Sequence, residues 1–107
     1  MKRSGQVIRL KPEMREEYLR LHAEPWPSIL ETLKRCHIQN YSIFLHADLL
    51  FSYYEYMGDN WELDRQQMAA DPATRAWWQL TDPCQTPLEN APEGAWWLEM
   101  PSVFFME

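Results

Sequence analysis

Residues 38–56, IQNYSIFLHADLLFSYYEY, contain the pattern that decides the fold. Within 38–46 the side chains alternate between two faces, and Tyr41 and Ile43 share one of them. After a short polar turn, 49–56 forms a second run rich in leucine, phenylalanine and tyrosine. Two such runs on either side of a short turn predict an antiparallel β-hairpin.

The second strand of this hairpin has apolar or aromatic side chains on both of its faces. A strand of that kind is covered on both sides. Helices cover one face, and because the chain has only two helical regions, the sheet of a second subunit is the expected cover of the other face. The sequence therefore predicts a homodimer that forms through the sheet.

A strand and a broken helix precede the hairpin. Gln6–Leu10 predicts a first strand, and a helix begins at Pro12, which suits the first helical turn. Apolar side chains then recur at spacings of three and four as far as Ala23. Because Pro25-Trp26-Pro27 removes backbone donors, we expect a break after Ala23 and a second helical piece over 27–35.

A second helical region follows the hairpin. Either Asp59 or Asn60 can cap a helix that carries Trp61 toward the core. Asp71-Pro72 then combines a capping residue with a proline at the first turn, which predicts a new helix start. This last helix is expected to continue to about Leu80.

The end of the chain is rich in proline, and we expect residues 82–101 to be irregular and aromatic-rich, with Ser102–Met106 as a final short strand. The predicted order is then strand, helix, strand, strand, helix, strand. This order is typical of an α+β fold, a ferredoxin-like split βαβ sandwich with one sheet face free for a partner. At this length, residues 1–107 are expected to form a single domain.

Charge and composition exclude several kinds of partner. Ten basic and sixteen acidic residues give a net charge of −6 without a basic run, so nucleic acid is not an expected partner. No apolar stretch approaches the roughly 18 to 20 residues that cross a bilayer, so no membrane association is expected. Cys36 and Cys84 do not form a CxxC motif, and we expect reduced thiols in a soluble, cytoplasmic protein without a secretion signal.

Tyr18 and His22, four positions apart on the predicted helix, lie side by side on one face. Imidazole gives and takes protons near neutral pH, and aromatic rings offer flat walls to a sugar. A histidine at a helix end can equally have only a structural hydrogen bond to a carbonyl. The sequence has no HxxxH or clustered Cys/His spacing for a metal, and three glycines are too few for a phosphate loop.

Two pairs of adjacent tryptophans accompany this candidate site. Neighbouring residues on a helix point about 100° apart, so if Trp77 belongs to the core, Trp78 borders an opening, or the reverse. The pair Trp96-Trp97 lies in the segment predicted to be irregular. It either covers a pocket or fastens the tail to the body of the protein.

Six segments along the chain share a characteristic order and spacing: Glu16-Glu17-Tyr18 through His22, Trp26-Pro27, Asn40 to Leu45, Leu50-Phe51, Trp77-Trp78 and Val103-Phe104. Together they resemble the L-rhamnose mutarotase family, nearly from end to end. The resemblance implies a ferredoxin-like unit that dimerises through its sheets into a dimeric α/β barrel. It also implies an aldose mutarotase that interconverts the α and β anomers of L-rhamnopyranose or a related 6-deoxy sugar.

On the matching positions, the resemblance assigns the acid/base role to His22, with Tyr18 beside it and Trp77-Trp78 shaping the sugar pocket. Polar groups such as those of Asn40 and Tyr41 can fix the sugar hydroxyls. Anomer exchange by proton transfer needs no metal and no organic cofactor. The segment from Pro83 through Trp97 differs from shorter members of the family in being longer and richer in tryptophan.

The residues leave two other functions open. A small cofactor-free monooxygenase shares the dimeric barrel and also favours tryptophan and histidine. A non-catalytic sugar-binding barrel would bind a monosaccharide without changing its anomer exchange. The sequence also leaves open whether Glu55 or Asp82 assists the candidate pair.

Overall fold

Five strands and four helices follow one another in the computed structural model, which describes residues 1–107. Two single 3₁₀ turns, Pro12–Met14 and Asp82–Cys84, precede α1 and follow α4. The elements in chain order are β1 (Lys2–Leu10), α1 (Arg15–Ala23), α2 (Pro27–Arg35), β2 (Ile38–His46), β3 (Leu49–Tyr56), α3 (Trp61–Ala70), α4 (Pro72–Thr81), β4 (Gln85–Thr86) and β5 (Leu98–Met100).

The sheet is antiparallel throughout and has the order β2-β3-β1-β4, with β5 also paired to β1. The hairpin β2-β3 has the predicted bounds because both runs pair along their length. Helices α1 and α2 connect β1 to β2, and β3 lies between these two strands in the sheet. The ferredoxin-like split βαβ prediction is therefore confirmed.

The helices also follow the prolines as predicted. Helix α1 ends at Ala23, and α2 begins at Pro27, which occupies its first turn. Two details differ from the prediction. The chain forms a 3₁₀ turn from Pro12 before α1, and β1 starts at Lys2 because its N-terminal half pairs with the end of β3, where Lys2 lies opposite Tyr56.

The predicted final strand at Ser102–Met106 is wrong, since the last strand is β5 and the chain after it has no regular secondary structure. The predicted irregular stretch 82–101 is wrong in part, because it contains β4 and β5. Both short strands pair with the same edge of β1. They fill one strand position in two pieces, and residues 87–97 leave the sheet between them; we call this segment the 87–97 excursion.

The core lies between one face of the sheet and the helices, in two clusters that share α1. The first cluster combines sheet residues with the phenol of α1 and consists of Ile8, Leu10, Tyr18, Leu50 and Cys84. The second joins three helices and consists of Leu21, Ile29 and Trp77. Because α1 contributes to both clusters, the position of its inward face is fixed against the sheet and against α4.

Candidate active site

A cavity of about 390 Å³ lies between the inner face of the sheet and helices α1 and α4, and the 87–97 excursion contributes to its wall. This size is within the range of small-molecule sites, about 300–1,000 Å³. Twelve of its seventeen lining residues are hydrophobic, so its walls are mainly apolar and aromatic. The predicted site residues that line it are Tyr18, His22, Tyr41, Trp77 and Trp78.

His22 is partly buried near the C-terminal end of α1, where its Nδ1 lies 2.9 Å from the backbone carbonyl oxygen of Tyr18. A carbonyl oxygen only accepts, so Nδ1 carries the hydrogen and Nε2 has the free lone pair. Burial lowers the pKa of His22 below its ordinary value, and the hydrogen bond to the Tyr18 carbonyl opposes this only in part. His22 is therefore a neutral base at neutral pH.

Tyr18 lies beside this imidazole, and the two rings stack with centroids 4.1 Å apart. Only 2 % of Tyr18 is exposed. Burial strongly raises the pKa of its phenol, and the nearby Tyr41 adds to the shift. Since the hydroxyl stays protonated at neutral pH, Tyr18 is suited to donate a hydrogen bond and not to act as a base.

The adjacent tryptophans of α4 have different surroundings, and the structure selects the first of the two predicted alternatives. Trp77 is 7 % exposed, with its ring edge-to-face to His22 at 5.4 Å and to Trp26 at 5.2 Å. Trp78 is 41 % exposed and borders the opening of the cavity. Trp77 thus supports the imidazole, while Trp78 presents an accessible ring to a ligand.

The structure brings Tyr41 to the cavity but not Asn40. Tyr41 packs against Tyr54, and loss of solvent around its hydroxyl raises the pKa of the phenol to about 12 although 42 % of the residue is exposed. Asn40 has a positive φ of 51° at a bulge in β2, and its amide donates to Glu55 at 2.8 Å. Asn40 therefore does not line the cavity in the single chain, and its contact with the sugar stays a prediction.

The two acidic candidates are also separated. Glu55 accepts hydrogen bonds from Asn40, Gln39 and Tyr53 outside the cavity. These bonds hold the pKa of its carboxyl below the ordinary value. Asp82 lines the cavity, and partial burial raises the pKa of its carboxyl.

Gln85 is a residue of the cavity that sequence reasoning missed. It is 5 % exposed, and its side chain joins Tyr18 to Trp96. Trp96 lines the cavity, so the alternative in which the second tryptophan pair covers a pocket applies to it. No signal in the sequence identifies Gln85, because a lone glutamine in a proline-rich segment is typical of a solvated loop.

Comparison with known proteins identifies the family of the chain. The sequence profile described as L-rhamnose mutarotase matches residues 3–106. The chain belongs to the L-rhamnose mutarotase family. The L-rhamnose mutarotase of Tolumonas auensis is 34 % identical over 110 residues, covering 99 % of both chains. The L-rhamnose mutarotase of Oceanobacillus iheyensis is 31 % identical over 111 residues, covering 100 % of both chains. The predicted family and enzyme class, an isomerase of sugar anomers, are confirmed.

Solved structures share the fold of this member of the L-rhamnose mutarotase family. The crystal structure of an L-rhamnose mutarotase from Formosa agariphila superposes with a TM-score of 0.77 at 23 % identity, over 100 % of both chains. Tetracenomycin F2 cyclase from Streptomyces glaucescens superposes with a TM-score of 0.71 at 17 % identity, again over 100 % of both chains. The predicted fold class, that of the dimeric α/β barrels, is confirmed. None of the helices combines the length and the apolar character needed to cross a membrane.

Proposed function

We propose that the protein interconverts the α and β anomers of L-rhamnopyranose in this cavity, with His22 as the acid/base group. One observation carries the proposal. The imidazole of His22 is neutral, and the hydrogen bond from Nδ1 to the Tyr18 carbonyl leaves Nε2 free inside a cavity walled by aromatic rings. The reaction is inferred from membership of the family, and the catalytic group is inferred from the position of this imidazole.

The reaction begins when Nε2 of His22 takes the proton of the anomeric hydroxyl. The bond between C1 and the ring oxygen breaks, C1 becomes an aldehyde carbon, and the imidazolium returns the proton to the ring oxygen. One imidazole serves both oxygens because both are attached to C1. Rotation about the C1–C2 bond presents the other face of the aldehyde, and the reverse transfers close the ring to the second anomer with the imidazole neutral again.

Tyr18 assists this cycle as a hydrogen-bond donor. Negative charge develops on the ring oxygen as its bond to C1 breaks, and a hydroxyl directed at that oxygen stabilises the charge. Because burial raises the pKa of the phenol, Tyr18 keeps its proton and donates throughout. His22 therefore transfers the proton as a neutral base, and Tyr18 donates a hydrogen bond as a protonated phenol.

The walls of the cavity fit a 6-deoxy sugar. L-Rhamnose presents a methyl group and axial C–H bonds, and the indoles of Trp77 and Trp78 offer these groups apolar contact. The Tyr41 hydroxyl, which is protonated at neutral pH, can donate to or accept from a sugar hydroxyl. Apolar walls with few polar groups are typical of sites that orient a small ligand.

NMR saturation transfer between the two anomeric protons tests this function. We expect the purified protein to raise the exchange rate of L-rhamnose well above its value in buffer. L-Mannose, which has a hydroxymethyl group in place of the methyl, should exchange more slowly, since burying an unpaired hydroxyl costs about 1–3 kcal/mol. A rate for L-rhamnose equal to that in buffer contradicts the proposed function, whereas equal rates for both sugars contradict only the apolar contact with the methyl group.

The outer face of the sheet, opposite the helices, supports a homodimer. Four apolar residues lie opposite one another across β2, β3, β1 and β5: Phe44, Phe51, Val7 and Leu98. Phe44 is 66 % exposed in the single chain. Val7 is already buried, whereas Phe51 and Leu98 are partly exposed. A second copy presents the same row to this face, so the exposed parts of the two rows can bury each other as the inner faces of packed sheets do.

Introducing a charge into this row tests the dimer. We expect Phe44→Glu to convert a dimeric protein into a monomer, because the carboxylate would lose its water in the interface. Size-exclusion chromatography with light scattering measures the mass. Leu30→Glu is the matched control, since Leu30 is 45 % exposed on α2, and should leave the dimer intact. A monomeric parent protein, or a dimeric Phe44→Glu variant, contradicts the interface.

The state of the cysteines supports a cytoplasmic location. Cys36 and Cys84 are both buried and unpaired. Burial raises the pKa of both thiols, which makes them unreactive. Free buried thiols are typical of proteins in a reducing compartment, so we place this protein in the cytoplasm.

A further inference from the structure

Gln85 occupies a fixed position between the candidate phenol and the 87–97 excursion. Its backbone belongs to β4, where it lies opposite Leu10 of β1. Its side chain makes two hydrogen bonds: the indole Nε1 of Trp96 donates to Oε1 at 2.8 Å, and Nε2 donates to the Tyr18 hydroxyl at 3.2 Å. Gln85 is thus the link between the excursion and Tyr18.

The chemistry of Trp96 sets which end of the Gln85 amide faces Tyr18. An indole N–H donates and never accepts, so the amide oxygen must be the atom that faces Trp96. The amide nitrogen then faces Tyr18 and can only donate to it. Without the indole N–H, the amide would be free to rotate by 180° and present its oxygen to the phenol.

This orientation fixes the role of the Tyr18 hydroxyl. Its oxygen accepts from Gln85, and its own hydrogen is donated to no protein group. Tyr18 lines the cavity, so the hydrogen is available to a ligand there. If the amide were reversed, the hydroxyl would donate to the amide oxygen, and the ligand would lose its donor.

We propose that Gln85, held by Trp96, is a positioning residue that turns the Tyr18 hydroxyl into a hydrogen-bond donor for the ring oxygen of the sugar. The inference rests on the role of Tyr18 in the proposed function. It also gives the excursion a part in the reaction, because the excursion supplies the indole that orients the amide. The raised pKa of the phenol agrees with a hydroxyl that keeps its hydrogen.

Two substitutions of Gln85 separate positioning from simple structural support. Gln85→Glu keeps the acceptor for Trp96 but presents a second acceptor to Tyr18, which draws the phenol hydrogen away from the sugar. Gln85→Met removes both hydrogen bonds but leaves the phenol free to face the cavity. We expect Gln85→Glu to lower the exchange rate at saturating L-rhamnose by roughly 10- to 100-fold, and Gln85→Met to lower it less. A purely structural role for Gln85 predicts the reverse order.

The pH dependence of the Gln85→Glu variant gives a second readout. A protonated carboxyl donates to Tyr18 and accepts from Trp96, as the amide does. The rate of this variant relative to the parent should therefore rise as the pH falls. Trp96→Phe, which keeps an aromatic ring but lacks the indole N–H, should give an intermediate loss because the amide can then adopt both orientations. Thermal unfolding followed by circular dichroism checks that each variant is folded.

Tyr18→Phe distinguishes failure of this inference from failure of the proposed function. We expect Tyr18→Phe to be slow, and Gln85→Glu to cause no further loss in the Tyr18→Phe protein. An equal loss with and without the phenol, or a Gln85→Met variant slower than Gln85→Glu, overturns the positioning role while leaving the mutarotase activity in place. A Tyr18→Phe variant as fast as the parent overturns the role of Tyr18 and the positioning role with it.

Discussion

Replacing His22 with alanine is expected to lower the catalysed exchange of the L-rhamnose anomers by about 10²- to 10⁴-fold, the usual contribution of a general acid or base. The variant loses the neutral imidazole whose Nε2, in the proposed mechanism, takes the proton of the anomeric hydroxyl. The loss should appear in the rate at saturating sugar, because the proton is transferred after the sugar has bound. NMR saturation transfer at a series of sugar concentrations measures it.

His22→Asn is the sharper variant, because it separates catalysis from structure. The asparagine amide can still donate to the Tyr18 carbonyl, as Nδ1 of His22 does, but it has no basic nitrogen. We expect it to be folded and as slow as His22→Ala. His46→Ala, at the exposed end of β2, should match the parent. If His22→Asn exchanges the anomers as fast as the parent, the histidine only holds the end of the helix.

The pH dependence of the parent follows from the same imidazole. The base must be neutral, and burial lowers the pKa of His22 below the ordinary value of 6.5. As the pH falls the rate should therefore decrease, with a midpoint below pH 6.5. The rate that remains in His22→Asn should lack this decrease. A midpoint at or above pH 6.5 contradicts a buried base with a lowered pKa.

The sequence predicted the fold well where local signals and tertiary pairing agree. The bounds of β2 and β3 follow from alternation, and the break between α1 and α2 follows from the prolines. The edge strand was missed because β4 has only two residues and pairs with β1 for tertiary reasons. Conversely, 102–106 has strand-forming residues but no neighbouring strand in the single chain, so propensity alone did not produce a strand there.

The candidate site shows the same division. Tyr18 and His22 meet because helical spacing places them together, and the spacing is visible in the sequence. Tyr41 lines the cavity, but Asn40 does not. The bulge at Asn40 places its amide against Glu55, and the composition of the strand does not reveal this backbone geometry. Gln85 and Tyr18 are 67 positions apart in the chain. They come into contact because β4 pairs with β1.

The adjacent tryptophans of α4 should respond in opposite ways to truncation. Trp77→Ala removes a ring that is 7 % exposed and packs against His22 and Trp26, so we expect a loss of about 3–5 kcal/mol in the free energy of unfolding. Trp78→Ala removes a ring that is 41 % exposed, so the free energy of unfolding of this variant should change by no more than about 0.5 kcal/mol. Urea unfolding followed by circular dichroism measures both values.

Activity should show the complementary contrast. Trp78→Ala is expected to raise the KM for L-rhamnose by about tenfold, which corresponds to ~1.4 kcal/mol of lost sugar contact, with little change in the rate at saturation. Trp77→Phe keeps an aromatic ring in the core, so it should recover much of the stability lost in Trp77→Ala. Trp77→Ala should also lower the exchange rate, because His22 loses the ring that packs against it. Trp77→Phe should restore this edge contact and recover part of the rate. Equal losses of stability in Trp77→Ala and Trp78→Ala would contradict the assignment of one ring to the core and the other to the sugar, because that assignment rests on their difference in burial.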